Sequence, residues 1–145
     1  MDSTIQAVQA FQSLMLGAAG KTSSIGSNLS NSGAFNGASG RVSGSSIMLK
    51  ATGQTDPGIA LELKHTVSGK LTFNASGTVK GGFRQGKFTI IFLSSDGSTQ
   101  LKECAVDPKK KSQNITIPSG TKKINIMLVG TGNINITLTG VSIVK

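Results

Sequence analysis

The side chains best suited to acid–base, nucleophilic or metal chemistry are scarce in this chain: His65, Cys104 and the acids Asp2, Asp56, Glu62, Asp96, Glu103 and Asp107. A Ser-His-Asp or Cys-His device would have to run through His65. That residue falls at the end of a predicted strand beside Lys64, with no nucleophile motif near it. A glycosidase needs two facing carboxylates. Here Asp56-Pro57-Gly58 and Asp107-Pro108 read as turns by their own chemistry, which uses up two of the six acids. Gly81-Gly82 and the glycines at 40 and 44 do not stand between a strand and a helix, so they are not phosphate loops. Cys104 is alone, which excludes an intrachain disulfide and a cysteine metal cage. The expectation is a protein that is not an enzyme, with no catalytic residues, no cofactor and no metal ligands.

The elements that would carry any site are short strands. There is no Trp or Tyr and there are six Phe, so Ile, Leu and Val must build the interior. Gly, Ser, Thr and Asn supply turns and wet strand faces. From residue 46 the pattern predicts strands over 46–50, 59–64, 70–76 (continuing through 78–80), 87–93, 100–106, 114–117, 123–129 and 133–144. Ile134, Ile136 and Leu138 alternate with polar residues, so one face is buried and the other wet. Ser94-Ser95-Asp96-Gly97 is a hairpin turn with an Asp-Gly signal. Eight or nine such strands at this spacing predict an all-β, antiparallel sandwich.

A formal net charge of +9 raises the question of nucleic acid. The fifteen basic residues are spread along the chain, clustering only at Lys109-Lys110-Lys111 and Lys122-Lys123. No Tyr or Trp is present to stack bases, so specific nucleic-acid binding is not expected. The charge instead suits an acidic partner such as a protein shell or an anionic glycan.

Residues 3–20 carry no charge, yet the chain opens Met1-Asp2 without the basic region of an export signal. Gln6, Gln9, Gln12 and Ser13 interrupt the apolar run, so it is not a membrane span. A short α-helix fits better. Ser3 with Gln6 matches a capping box, and Ile5, Val8, Phe11, Leu14 and Met15 form its apolar stripe. Three turns are marginal alone, so the stripe must bury itself against its own copies, a groove on a larger assembly, or the sandwich. A Gly/Ser/Asn-rich stretch follows over 17–46, its first part reading as a linker. Residues 1–27 are thus assigned to an attachment or oligomerisation helix with its linker, and 28–145 to the sandwich.

The order of segments over 28–145 resembles the jelly-roll carbohydrate-binding modules of the CenC type, including those on phage structural proteins. Asn28-Leu29-Ser30-Asn31-Ser32-Gly33-Ala34-Phe35-Asn36-Gly37 matches the family's opening, and Leu71-Thr72-Phe73-Asn74-Ala75-Ser76-Gly77-Thr78-Val79-Lys80-Gly81 its next strand. Ile91 to Gly97, Thr116-Ile117-Pro118-Ser119-Gly120-Thr121, Gly130-Thr131-Gly132 and Val141-Ser142-Ile143 match the rest. The resemblance implies a jelly-roll-like β-sandwich preceded by the helix. Two departures stand out: Arg41 occupies a position where many members have Trp, and Asn36 one where an acid accompanies a structural calcium.

Two functions follow as expectations. The first is a non-enzymatic structural or decoration protein of a virion, on a phage capsid or tail surface. In that reading the helix attaches or oligomerises it, a capsid or tail protein is the partner, and the chain is a homo-oligomer made in the host cytoplasm. The alternative is a glycan-binding module for host-surface attachment. Arg41, Phe83 and Arg84 would then contact the glycan or partner in place of Trp and Tyr.

Overall fold

The computed structural model describes residues 21–145. The predicted helix, with Ile5, Val8, Phe11, Leu14 and Met15, lies outside the described residues. Nine strands make up the fold: β1 (Thr22–Ser24), β2 (Leu29–Phe35), β3 (Ser39–Ser43), β4 (Ser46–Thr55), β5 (Gly58–Gly81), β6 (Phe88–Leu93), β7 (Gln100–Val106), β8 (Ser112–Met127) and β9 (Thr131–Val144). A single 3-10 turn, Gly26–Asn28, separates β1 from β2.

All pairings are antiparallel. Two strands are long enough to serve twice. The first part of β5, residues 58–63, pairs with β2 on one side and with residues 123–127 of β8 on the other. Its second part, residues 70–81, pairs with β9 and with residues 112–117 of β8. Between these parts the β5–β8 register slips twice, near Val67, and that is where both strands bend from one layer to the other. One layer therefore runs β2, β5, β8, β6, β7. The other runs β3, β4, β9, β5, β8, with β1 continuing the β4 side of β9. The result is an all-β antiparallel sandwich.

Strict alternation drives the inner faces together. Ile59, Leu61 and Leu63 of β5, Ile124 and Ile126 of β8, and Phe88, Ile90 and Phe92 of β6 are essentially inaccessible. Ile47 and Leu49 of β4 and Ile134, Ile136 and Leu138 of β9 meet them from the second layer. The Ile/Leu/Val interior expected from composition is present, with Phe73, Phe88 and Phe92 buried within it.

The predicted strands over 100–106, 87–93 and 133–144 agree with β7, β6 and β9 to within a residue or two. The departures lie earlier. Three strands, β1 to β3, occupy residues 22–43, inside the polar stretch read as linker and loop. Ile25, within the segment assigned to the linker, is fully buried and its N–H bonds Val141 O at 2.8 Å. These strands were hidden because most of their positions are Ser, Asn and Gly, and the core contacts of the stretch are few and irregularly spaced. Ile25 between β1 and β2 is fully buried, while Leu29, Ala38 and Val42 are partly buried against the core. Predicted strands 59–64 and 70–80 are one strand, as are 114–117 and 123–129, because a bend does not interrupt the ladder. His65 is accordingly in the bend of β5, exposed, and not at a strand end.

Candidate ligand-binding site

The register settles which side chains share the outer face of the first layer. Gly33, Ala60, Asn125, Ile91 and Glu103 form one row across β2, β5, β8, β6 and β7. On one side of it Phe35, Gly58, Met127 and Thr89 form a second row, and on the other Asn31, Glu62, Lys123 and Leu93 a third. Where the edge strand β2 meets β5 and β8, this face is hollowed into a groove of about 430 Å³. Its walls include Asn31, Phe35, Ala60, Glu62, Lys123 and Asn125.

The groove exists because of what the sequence omits. Gly33 and Ala60 leave its floor low, and Gly58 lets the Phe35 ring descend against the sheet. A Cβ on Gly58 would stand 2.6 Å from Phe35 Cζ, 2.6 Å from Ile126 O and 2.6 Å from Met127 Cβ. The ring is thus seated on bare backbone, half-buried, at one end of the groove. Glu62 and Lys123 are direct cross-strand partners. Among the described residues the single ion pair is Arg84–Glu103, at 2.5 Å, so the Glu62 carboxylate and the Lys123 ammonium keep their bonding capacity. The Asn125 side-chain oxygen is buried with no hydrogen-bond partner among the described residues. A buried acceptor in that state costs about 1–3 kcal/mol, which a donor arriving in the groove would relieve.

An aromatic ring, a carboxylate, an ammonium and two amides on one hollowed strand face can bind a polyol. The ring offers a surface for C–H groups, while the amides and the charged pair can donate to and accept from hydroxyls. They form no catalytic constellation. His65 is remote on the β5 bend, and no group of three His, Cys, Asp or Glu side chains is gathered among the described residues. Cys104 is half-buried on β7.

Of the residues singled out in the sequence, Arg84 reaches this face. Its guanidinium pairs with Glu103 at the far edge, beyond β6. Phe83 is its neighbour in the β5–β6 loop and is 82 % exposed. Arg41 is on β3, on the outer face of the other layer, paired with Met48. The three do not form one site. Phe35, Glu62, Lys123 and Asn125 are the residues that sequence reasoning missed as a site. The usable signal was a polar residue at every second position of Ile124-Asn125-Ile126 and Leu61-Glu62-Leu63, with an aromatic on the edge strand beside them. Asn36, at the position the resemblance links to a calcium ligand, donates its side-chain N–H to Asp56 O at 2.9 Å and serves the β2–β3 turn.

No protein-family model matches the chain, and no curated protein matches its sequence. Solved structures match its fold. A family 29 carbohydrate-binding module superposes with a TM-score of 0.60 at 12% identity, covering 86% of this chain and 88% of that one. A variant of a family 29 module in complex with cellulohexaose gives 0.61 at 11% identity over 87% and 92% of the two chains. Another, with mannohexaose, gives 0.58 at 13% identity over 86% and 92%. At such identities the likeness establishes a carbohydrate-binding-module-like β-sandwich and leaves the residues of the groove to speak for themselves.

Proposed function

We propose that this chain is a non-catalytic glycan-binding module and that the β2–β5–β8 groove is where it binds. The observation carrying the proposal is a single groove with Phe35 seated on Gly58 at one end, Glu62 and Lys123 toward the other, and the unpartnered Asn125 oxygen in the row between them. A fold shared with modules solved with cellulohexaose and mannohexaose supports it. With one Phe in place of several larger aromatics, hydrogen bonding must provide most of the selectivity, and stacking less. Hexaoses of β-linked glucose and mannose are the first probes to use.

Isothermal titration with both hexaoses, on the full chain and on F35A, E62Q and N125A, tests the assignment. Wild-type binding with at least a tenfold loss in F35A and E62Q is the expected outcome. Binding that survives all three substitutions would move the site elsewhere on the molecule. Absence of binding across a broad glycan panel would end the glycan reading.

A further inference from the structure

The outer face of the second layer has a different chemistry. Its cations include Arg41 on β3, Lys50 on β4, and Lys70 and Lys80 on β5, all exposed. The register places Lys50 opposite Asn135, Lys80 opposite Asn133 and Lys70 opposite Val144. The positions between them are Thr72, Ser76, Thr78, Asn135, Thr137 and Ser142, again by register. None of the five acids among the described residues lies on it. Glu62 and Glu103 are on the first layer, and Asp56, Asp96 and Asp107 are in connections. No ion pair involves any of these four cations among the described residues.

Two hollows mark the ends of this face. One, about 410 Å³, is lined by Arg41, Met48, Lys50 and Asn135. The other, about 590 Å³, is lined by Lys70, Thr72, Asn114, Thr116 and Lys145. Along β9 they are separated by the run from Asn135 to Val144, about 30 Å at the usual strand rise of ~3.3 Å per residue. A face with unpaired cations at both ends and hydroxyls and amides between is complementary to an extended polyanion that itself carries hydroxyls.

We infer that this second face binds a linear acidic polysaccharide, with Arg41 and Lys50 at one end and Lys70 at the other meeting its anionic groups. A nucleic acid satisfies the charge but not the surface between, where the described residues include no aromatic side chain on which bases could stack. Acidic sugars instead match the Ser/Thr/Asn lattice through their free hydroxyls. The inference concerns a face opposite the Phe35 groove and stands or falls separately from it.

The test is binding of the full chain to polygalacturonate and to dextran sulfate at physiological salt, with single-stranded DNA of similar charge as competitor. The variant R41Q/K50Q/K70Q is compared with K64Q/K87Q/K122Q, which removes the same number of charges away from this face. At least a tenfold loss of polysaccharide binding in the first variant, under twofold in the second, with binding to the Phe35 groove unchanged, is expected. Equal losses in both variants would reduce the effect to net charge and overturn the inference. So would failure of both polysaccharides to bind, or tighter binding to DNA than to either. Carboxylate and sulfate recognition are separated by which polymer binds more tightly.

Discussion

Asp56 and Gly130 clasp one another across the turns at one end of the sandwich. The Asp56 N–H donates to Gly130 O at 2.9 Å, and the Gly130 N–H donates to Asp56 Oδ1 at 2.7 Å. Asp56 holds a positive φ of 52°, a conformation that Asp and Asn tolerate better than other non-glycine residues. Gly130, at φ 99°, lies so close to Gly82 and Phe83 that a Cβ would approach both at 3.0 Å. The clasp ties the β4–β5 turn to the β8–β9 turn, and Leu128 N–H on Pro57 O extends it.

Replacing Asp56 with Ala removes a carboxylate acceptor and leaves a less tolerant residue at positive φ. A loss of about 2 kcal/mol in unfolding free energy is expected, at the level of a hydrogen bond to a charged group. Asp56→Asn should lose roughly half as much, since the amide oxygen can still accept and the backbone conformation is retained. Urea unfolding followed by circular dichroism measures both, and an unchanged m-value is part of the expectation.

Gly58→Ala is the sharpest test of how the groove is made. The added methyl must displace the Phe35 ring, the Met127 side chain or the Ile126 carbonyl. The expected result is a protein that still folds, is destabilised by about 1–3 kcal/mol as overpacked sites are, and has lost most of the glycan affinity proposed for the groove. Phe35→Ala in the same background should then add little further loss, because the ring is already out of place.

The Asp96 carboxylate is held well below the usual range. The Ser94 hydroxyl donates to it, as do the Thr99 and Ser98 N–H groups and the Thr99 hydroxyl. Because the folded value lies below the unfolded one, its contribution is complete above about pH 4–5 and is lost as pH falls toward the folded value. Asp96→Asn should therefore flatten the acid limb of the stability profile between pH 5 and pH 2. Denaturation midpoints at several pH values compare the two slopes, and parallel slopes would refute the assignment.

Thr89 is fully buried, and its hydroxyl has no hydrogen-bond partner among the described residues. Thr89→Val keeps the shape and removes the stranded group. A gain of up to about 1 kcal/mol is expected, the reverse of the usual penalty for burying a lone hydroxyl. A loss of more than that size would mean that the hydroxyl has a partner after all, for instance a bound water.

The inner faces of the later strands were legible in the sequence because Ile, Leu and Phe alternate there with polar residues at period two. β1 to β3 were not, since Ser30 to Ala34 contain one apolar side chain and a bulge interrupts the register between Leu29 and Asn31. The union of 59–64 with 70–81 was equally hidden, as alternation lapses at the bend from His65 to Gly69 while the ladder resumes beyond it. The groove was invisible for a different reason. Phe35, Glu62 and Asn125 are far apart in the chain, and only the pairing of β2 with β5 and of β5 with β8 brings them together. Arg41, Phe83 and Arg84 stood out as individual residues, and the topology separates the first from the other two. The helix and its attachment to a virion rest on residues outside 21–145.

Because β5 and β8 each belong to both layers, the sandwich has no plane along which it can be opened. Losing the pairing of residues 69–74 with 112–117 detaches the same two strands that hold 58–62 against 123–127. Amide protons at the centres of the two layers should therefore exchange with one shared opening free energy, the hallmark of a single cooperative unit. Ligands on opposite faces would both draw on that equilibrium. Occupancy at either face would then slow exchange at the other, through the strands and without any change of shape.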